Sequence, residues 1–250
     1  MVDSIVIIPT YNEKENIEKI IRKVFSLSKE FDVLVVEDNS PDGTAAIVKS
    51  LISEFPDRLF IQERKGKLGL GTAYIHGFRW AIENNYEYAF EMDADFSHNP
   101  EDLLRLYKAC AEDGADLAIG SRYSNGVNVV NWPMSRVLIS YFGSMYVRNI
   151  TGIPVRDTTA GFKCFKIDVL KNIDFDKIKH IGYGFQIEMK FTVWKLKYKI
   201  TEVPIIFTDR TEGTSKMSKG IFREAIFGVL GLKIRSWFKT YERLNPEPKA

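Results

Sequence analysis

The sequence lacks the features that would place it outside the ordinary globular proteins. Only two cysteines occur in 250 residues, Cys110 and Cys164, and they do not have the spacing of metal ligands. We therefore expect two reduced, buried thiols in a cytosolic protein. The net charge of +2 gives no reason to expect nucleic acid as a partner. With 45% hydrophobic and 27% charged residues, the chain is expected to form a packed core.

Long hydrophobic runs are also absent. The apolar run at residues 5–9 is too short for a secretory signal, and Asp3 stands where such a signal carries positive charge. The longest later run, residues 225–232, is followed by Lys233 and Arg235, whereas a spanning helix needs about 20 apolar residues. We expect any contact with a membrane to be peripheral.

The first half of the chain alternates strand and helix patterns. Short runs rich in β-branched residues predict strands at residues 4–9, 32–36, 59–63, 86–92 and 116–119, with helical spacing between them. This alternation predicts an α/β fold with a mostly parallel sheet flanked by helices. Ligands of such sheets bind beyond the carboxyl ends of the strands.

The second half is less regular. We predict extended segments at residues 157–165 and 200–207, and helices at residues 135–150 and 219–238. The last helix is basic and amphipathic, with Trp237 and Phe238 near its end, a composition typical of a helix lying on an anionic membrane surface. Packing against the catalytic domain or a partner subunit is the alternative. The predicted division is a catalytic domain at 1–218, an interfacial helix at 219–240 and a disordered tail at 241–250.

Two aspartates follow the fourth predicted strand. Asp93 and Asp95 would repel each other unless a divalent cation lies beside them, and hard oxygen ligands suit Mg²⁺ or Mn²⁺. The alternative is that they cap the next helix, for which Asn99 is a closer candidate. A D-x-D pair by itself is a weak signal, which its place after a buried strand strengthens.

Three residues near the first two strands are candidate nucleotide ligands. Asp38 could accept hydrogen bonds from a nucleobase, Tyr11 could stack on the base, and Glu13 could reach the ribose or base. Asp38 could instead be a turn residue and Glu13 a first-turn acid favoured by the helix dipole.

Four basic residues are candidate phosphate ligands. Arg122 and Arg136 flank a loop, and arginine forks match phosphate oxygens. Arg210 and Lys216 flank a segment of small residues that could close over a diphosphate. The alternatives are solvated surface arginines and an ordinary mobile loop.

A family resemblance rests on seven motifs in order: PTYNE, EDNSPDGT, MDADFSHNP, GSRY, NWPMSR, TAGFKCF and RTEGTSKM. They resemble those of the dolichol-phosphate (polyprenol-phosphate) mannose synthases, inverting family-2 glycosyltransferases with a Rossmann-like GT-A fold. The resemblance extends from Val6 to Met217. It implies transfer of mannose from GDP-mannose to a polyprenyl (dolichyl) phosphate, with inversion and with Mg²⁺ or Mn²⁺ as cofactor.

The resemblance also implies roles for individual residues. Asp95, Arg122 and Arg136 would be catalytic, and the two arginines would grip the acceptor phosphate. Asp93 and Asp95 would hold the metal, with Ser97 as a third candidate where some members carry Gln. The donor ligands would be Pro9, Tyr11, Glu13, Val36, Asp38, Asp93, Ala94, Arg210 and Lys216.

Other functions remain open at this point. A sister enzyme could use UDP-glucose or another UDP-sugar with the same lipid phosphate. A nucleotidyltransferase would need a glycine-rich phosphate loop near the N-terminus, which PTYNE does not supply. A non-catalytic nucleotide-sugar-binding subunit would be expected to lose a metal carboxylate or a phosphate-binding arginine. Family members often carry transmembrane helices or a membrane-anchoring subunit, so we expect attachment to the cytoplasmic face of a membrane, directly or through such a subunit.

Overall fold

The computed structural model describes residues 2–182, 184–209 and 220–245, with side chains from residue 227 onward in the last range. The strands are β1 (Ser4–Thr10), β2 (Asp32–Glu37), β3 (Leu59–Glu63), β4 (Tyr88–Glu91), β5 (Leu117–Ser121), β6 (Val129–Val130), β7 (Lys163–Lys166), β8 (Ile200–Pro204) and β9 (Phe207–Thr208). The α-helices are α1 (Ile17–Phe25), α2 (Thr44–Ile52), α3 (Leu70–Glu83), α4 (Asp102–Ala111), α5 (Met134–Thr151), α6 (Ile167–Lys171), α7 (Gly184–Lys195) and α8 (Gly220–Phe238). A short 3₁₀ helix spans Phe175–Lys177.

A seven-stranded sheet forms the centre of the fold, in the order β3-β2-β1-β4-β7-β5-β8. All neighbours pair in parallel except β7, which is antiparallel to both β4 and β5. Because β7 is reversed between them, β4 and β5 run in the same direction. The residues that follow β1, β2, β4 and β5 therefore lie along one edge of the sheet, as the alternating pattern predicts.

Helices cover both faces of the sheet. Alternate residues of β1 point to opposite faces: Ile5 and Ile7 join a core formed with α3, α6 and α7, while Val6 and Ile8 join a core formed with α1, α2 and α4. Burial on both faces explains why these strands are continuously apolar. Both cysteines are buried and free.

Helix α8 packs on α5 and α7 through a third cluster that includes Val229 and Leu232. The sequence left two roles open for this helix, contact with a membrane and packing against the domain, and this contact matches the second. Other side chains of α8 are exposed. No helix in the described parts of the chain is both long enough and apolar enough to cross a membrane.

Several features differ from the sequence-based expectations, among them the short helix α6 and strand β6, which were not predicted. Helix α7 was not predicted, and of the extended segment at 157–165 only its end, from Lys163, belongs to a strand. The tail was predicted to be disordered from residue 241, but its first residues contact the domain. Tyr241 packs edge-on to Phe191, Arg243 lies 3.9 Å from the Tyr198 ring centre, and the Asn245 N–H donates to Asn172.

Candidate active site

The predicted nucleotide ligands lie where β1 and β2 end side by side. Pro9 is paired with Val36 in the sheet, and the Asp38 N–H donates to the Thr10 carbonyl. Beyond β1, the Glu13 N–H donates to the Thr44 hydroxyl at the start of α2. These contacts bring the segments containing PTYNE and EDNSPDGT together.

Asp38 is held by an arginine that the sequence did not single out. Arg64 follows β3 and donates from Nε and Nη2 to the two carboxylate oxygens of Asp38, at 2.6 and 2.7 Å. The same neighbourhood contains Tyr11, whose ring centre lies 4.9 Å from the Lys67 ammonium. The carboxylate proposed to read a base is therefore fixed in orientation by a bidentate ion pair.

The D-x-D pair lies at the end of β4, near the middle of the sheet edge. The Tyr74 hydroxyl is 3.4 Å from Asp93 Oδ1, and Asp95 is almost completely buried. The N–H of Ser97 donates to Asp95 Oδ1 at 3.0 Å, and the Ser97 hydroxyl contacts the same oxygen. Ser97 thus orients Asp95, and its role as a third metal ligand stays a prediction.

The donor set at this position fits a hard divalent cation. Two carboxylates that follow β4 supply the oxygen ligands that Mg²⁺ and Mn²⁺ prefer, with water and diphosphate oxygens to complete the shell. Within the described ranges, no three His, Cys, Asp or Glu side chains form a cluster able to hold a metal alone.

His98 connects the D-x-D segment to β9. Its ring stacks on Phe162, with ring centres 4.8 Å apart, and it meets Phe207 edge-on at 5.3 Å. Its backbone also forms an isolated bridge with Phe207. Burial lowers the pKa of His98 to about 4, although the charge of Asp95 opposes this shift, so the ring is neutral at pH 7.

Arg122, directly after β5, is buried in a bidentate ion pair. Its Nε and Nη2 atoms donate to the two oxygens of Asp157 at 2.7 and 2.6 Å, and Nη2 also donates to Thr159. Burial alone would raise the pKa of Asp157, but the charge and hydrogen bonds of Arg122 outweigh it and hold this pKa below its usual value. The carboxylate of Glu202 fixes the turn by accepting the Asp157 N–H.

Arg136 lies in the first turn of α5 and is more exposed than Arg122. Its Nη1 donates to both oxygens of Asp209 at 2.9 Å, and its guanidinium carbon lies 4.1 Å from the Trp132 ring centre. The guanidinium carbon of Arg122 lies 5.5 Å from the same ring. The structure therefore brings the two predicted arginines together around Trp132.

A buried polar network lies beneath this edge. Glu91 of β4 is 3.0 Å from the ammonium of Lys163 on β7, and Gln186 contacts both side chains. Lys190 donates to the carbonyls of Thr158 and Ala160. Burial raises the pKa of Glu91 and lowers the pKa values of both lysines.

Two of the predicted site residues lie outside the described part of the chain, and the structure adds residues that were not predicted. Arg210 and Lys216 lie outside the described residues. Arg64, Trp132 and Asp157 were not predicted as site residues. The sequence held a clue to two of them. Arg64 follows β3 as Asp38 follows β2, and Trp132 lies within the motif that contains Arg136.

Comparison with known proteins shows the family of this chain. The family model described as "Glycosyl transferase family 2" matches residues 5–174, which carry the sheet edge from β1 to Asp157. The chain belongs to glycosyl transferase family 2. Asp209, the partner of Arg136, lies outside the matched region.

Two curated relatives support a narrower resemblance. A polyprenol monophosphomannose synthase from Mycolicibacterium smegmatis is 44% identical over 232 residues, covering 93% of this chain and 87% of that protein. An undecaprenyl-phosphate mannosyltransferase from Micrococcus luteus is 47% identical over 223 residues, covering 89% of this chain and 90% of that protein. The resemblance to polyprenol-phosphate mannose synthases is thereby confirmed.

More distant solved structures share the fold. A glucosyl-3-phosphoglycerate synthase from Mycobacterium tuberculosis, solved with Mn²⁺, UDP-glucose and phosphoglyceric acid, is 16% identical with a TM-score of 0.66, covering 92% of this chain and 80% of that chain. A mannosyltransferase from Pyrobaculum calidifontis, solved with GDP-Man and Mn²⁺, is 18% identical with a TM-score of 0.60, covering 94% of this chain and 64% of that chain. At these identities the likeness extends to the fold alone, which matches the predicted GT-A type.

Proposed function

We propose that this glycosyltransferase moves mannose from GDP-mannose to a polyprenyl phosphate and inverts the anomeric centre. One observation carries the proposal: the arginines around Trp132 and the Asp93–Asp95 pair lie at the same edge of the sheet. This arrangement provides cations for an acceptor phosphate next to a site for a sugar nucleotide. The names of the two relatives support the same donor sugar and acceptor class.

The nucleotide would lie over the ends of β1 and β2. Asp38 would accept hydrogen bonds from the base, Tyr11 would contact the base, and Glu13 would reach the ribose. Pro9, Val36 and Ala94 would line the pocket through their backbone. Arg210 and Lys216 would reach the donor diphosphate.

The metal would be held by Asp93 and Asp95. Bound Mg²⁺ or Mn²⁺ supplies positive charge against the diphosphate that leaves with GDP. Ser97 keeps the Asp95 carboxylate oriented through its two contacts with Oδ1. The structural neighbours solved with Mn²⁺ support a divalent cation without distinguishing the two ions.

The two arginines would bind the acceptor phosphate in different ways. Arg122 is buried and firmly paired with Asp157, so its guanidinium would meet the phosphate from a fixed position. Arg136 and Asp209 are both partly exposed, with side-chain exposures of 33% and 28%. A lipid phosphate could therefore replace Asp209 at Arg136 with little rearrangement.

The chemical step needs no strong general base. A lipid phosphate is already anionic at neutral pH, so its oxygen can attack the anomeric carbon once the arginines hold it in line. The C–O bond to GDP breaks as the new C–O bond to the lipid phosphate forms on the opposite face. An α-linked donor then gives a β-linked product.

Membrane access would come from the exposed apolar faces of α5 and α8. Helix α5 exposes Met134, Leu138 and Phe142, with Met134 at 71%. Helix α8 exposes Phe227, Trp237 and Phe238. We place this surface on the cytoplasmic leaflet, in keeping with the free buried cysteines. A membrane-anchoring subunit on the same surface is the competing arrangement.

Product analysis tests the proposal. The wild-type chain, given GDP-mannose, polyprenyl phosphate in detergent and Mn²⁺, should form a mannolipid whose anomeric configuration is β by NMR. Asp95→Ala should lower the rate at least about 100-fold, since nothing then holds the charge opposing the diphosphate. Asp168→Ala removes an exposed carboxylate of α6 and should leave the rate unchanged. An α-linked product would contradict inversion, and a near-normal rate in Asp95→Ala would contradict the metal assignment.

A further inference from the structure

Lys190 of α7 is a buried cation that is held by backbone carbonyls. The residue is fully buried. Its ammonium donates to the carbonyls of Thr158 at 2.9 Å, Ala160 at 2.7 Å and Gln186 at 3.2 Å. An ammonium has three N–H donors, and these three carbonyls satisfy all of them. Because a buried charge needs such partners, the ammonium and the carbonyls fix each other in position.

Two of these carbonyls belong to the turn that holds Arg122. The side chains of Asp157 and Thr159 both accept hydrogen bonds from the Arg122 guanidinium. The carbonyls of the residues that follow each of them accept from Lys190. The turn at residues 157–160 therefore binds one cation through its side chains and a second cation through its backbone.

The hydrogen bond within this turn is weak. It runs from the Ala160 N–H to the Asp157 carbonyl over 3.5 Å, which is longer than the usual range. Glu202 fixes the beginning of the turn by accepting the Asp157 N–H, and β7 begins only at Lys163. Between these two points the contacts with Lys190 hold the backbone.

We propose that Lys190 is a positioning residue for the acceptor phosphate: by holding the turn at residues 157–160, it fixes the direction in which Arg122 presents its guanidinium. The inference rests on the proposed function, because it takes Arg122 as a ligand of the acceptor phosphate. Since Lys190 is fully buried and bound to carbonyls, it acts through the turn and not by contact with a substrate. Its loss should therefore impair acceptor use and leave donor binding unchanged.

The neighbouring residue of α7 supplies a matched control. Met189 is also fully buried, but it belongs to the core formed with α3 and α6. Met189→Ala opens a cavity beside the same helix and lowers stability without removing a donor to the turn. Lys190→Met keeps the length of the side chain and removes its three donors.

The test combines transfer kinetics with calorimetry. Transfer is measured at saturating GDP-mannose with Mn²⁺ and varied polyprenyl phosphate, and GDP binding is measured calorimetrically with Mn²⁺. Lys190→Met should lower kcat/KM for polyprenyl phosphate roughly tenfold or more, because small displacements of a positioned group cost rate steeply, and should leave the Kd for GDP within about twofold. Met189→Ala should melt at a lower temperature and keep the acceptor kcat/KM of the wild type.

A double variant tests whether Lys190 acts through Arg122. In the background of Arg122→Gln, Lys190→Met should lower the acceptor kcat/KM by less than about twofold more, because the guanidinium that the turn orients is already absent. A loss as large as in the wild-type background would show that Lys190 acts elsewhere and would overturn the inference.

The outcomes separate this inference from the proposed function. A wild-type chain that transfers no mannose to polyprenyl phosphate would overturn both together. Normal acceptor kinetics in folded Lys190→Met, an equal loss in Met189→Ala, or an equal loss of GDP binding would overturn the inference alone. If Lys190→Met does not fold, Lys190→Gln retains an amide donor and should show the same selective loss to a smaller degree. Unchanged acceptor kinetics in that variant would overturn the inference.

Discussion

Arg136 and Arg122 carry the same charge but differ in how much they can move. Arg122 is buried and pairs with a fully buried Asp157, whereas Arg136 and its partner Asp209 are both partly exposed to solvent. Both lie over Trp132, which keeps the two cations on one surface. Exchange of a carboxylate for a phosphate is therefore easier at Arg136.

Replacing Arg136 should affect acceptor use more than donor binding. We expect Arg136→Ala to raise the KM for polyprenyl phosphate roughly tenfold or more, because one charge-assisted contact is lost, and to leave GDP affinity within about twofold. Steady-state kinetics with each substrate varied in turn would measure both effects. Arg148→Ala, an exposed arginine in the last turn of the same helix, is the control. Unchanged acceptor kinetics in Arg136→Ala would remove Arg136 from the acceptor site.

The Arg122–Asp157 pair should make the free energy of unfolding depend on pH in the acid range. The folded pKa of Asp157 lies below its ordinary 3.8, so the pair contributes its full stability above about pH 4 and loses it as the pH falls through the folded pKa. Asp157→Asn leaves the Arg122 charge buried without its partner and should cost about 3 kcal/mol or more at pH 7.

Urea unfolding of wild type and Asp157→Asn between pH 7 and pH 3 would measure this dependence. The difference in unfolding free energy between the two proteins should be constant near neutral pH and should shrink below about pH 4. A difference that stays constant to pH 3 would show that Asp157 is not ionised in the folded protein.

At the scale of elements, α5 and α8 divide their apolar residues between the domain and the surface. Val229 and Leu232 are buried in the contact with α5 and α7, whereas Trp237 and Phe238 are 68% and 85% exposed. Aromatic side chains on a helix with basic neighbours favour the interface of an anionic bilayer. The two uses of α8 are therefore compatible.

Vesicle flotation should reveal this surface. We expect the wild type to float with anionic vesicles, and the pair Trp237→Ser/Phe238→Ser to bind roughly tenfold more weakly or worse, since two large apolar groups no longer enter the bilayer. Leu244→Ser removes an exposed apolar residue elsewhere and should bind normally. Wild-type protein that stays at the bottom of the gradient would favour an anchoring subunit instead.

Most helices were predictable because their burial is periodic along the chain, and most strands because they are short, continuously apolar runs. Helix α7 was not, because it is buried on every side, including at Gln186, Glu188 and Lys190. Without an exposed face, its sequence has no contrast at helical spacing. The antiparallel direction of strand β7 could not be predicted either, because the direction of a strand depends on how distant segments pack.

For the whole molecule, the sheet edge could be predicted but the side-chain partnerships could not. Asp38 and Arg64 are 26 residues apart, Arg122 and Asp157 35 residues apart, and Arg136 and Asp209 73 residues apart. Such pairs produce no pattern in the local sequence, because they depend on which loops the folded sheet brings together. Motif resemblance identified one partner of each pair, and the structure supplied the other.

The most direct test of the account measures radiolabel transfer to polyprenyl phosphate from GDP-mannose and from UDP-glucose, each with Mg²⁺ or Mn²⁺ and each repeated with EDTA. We predict label in the lipid fraction with GDP-mannose and a divalent ion, almost none with UDP-glucose, and loss of the mannose signal with EDTA. Transfer from UDP-glucose alone, or mannose transfer that EDTA does not affect, would contradict the account.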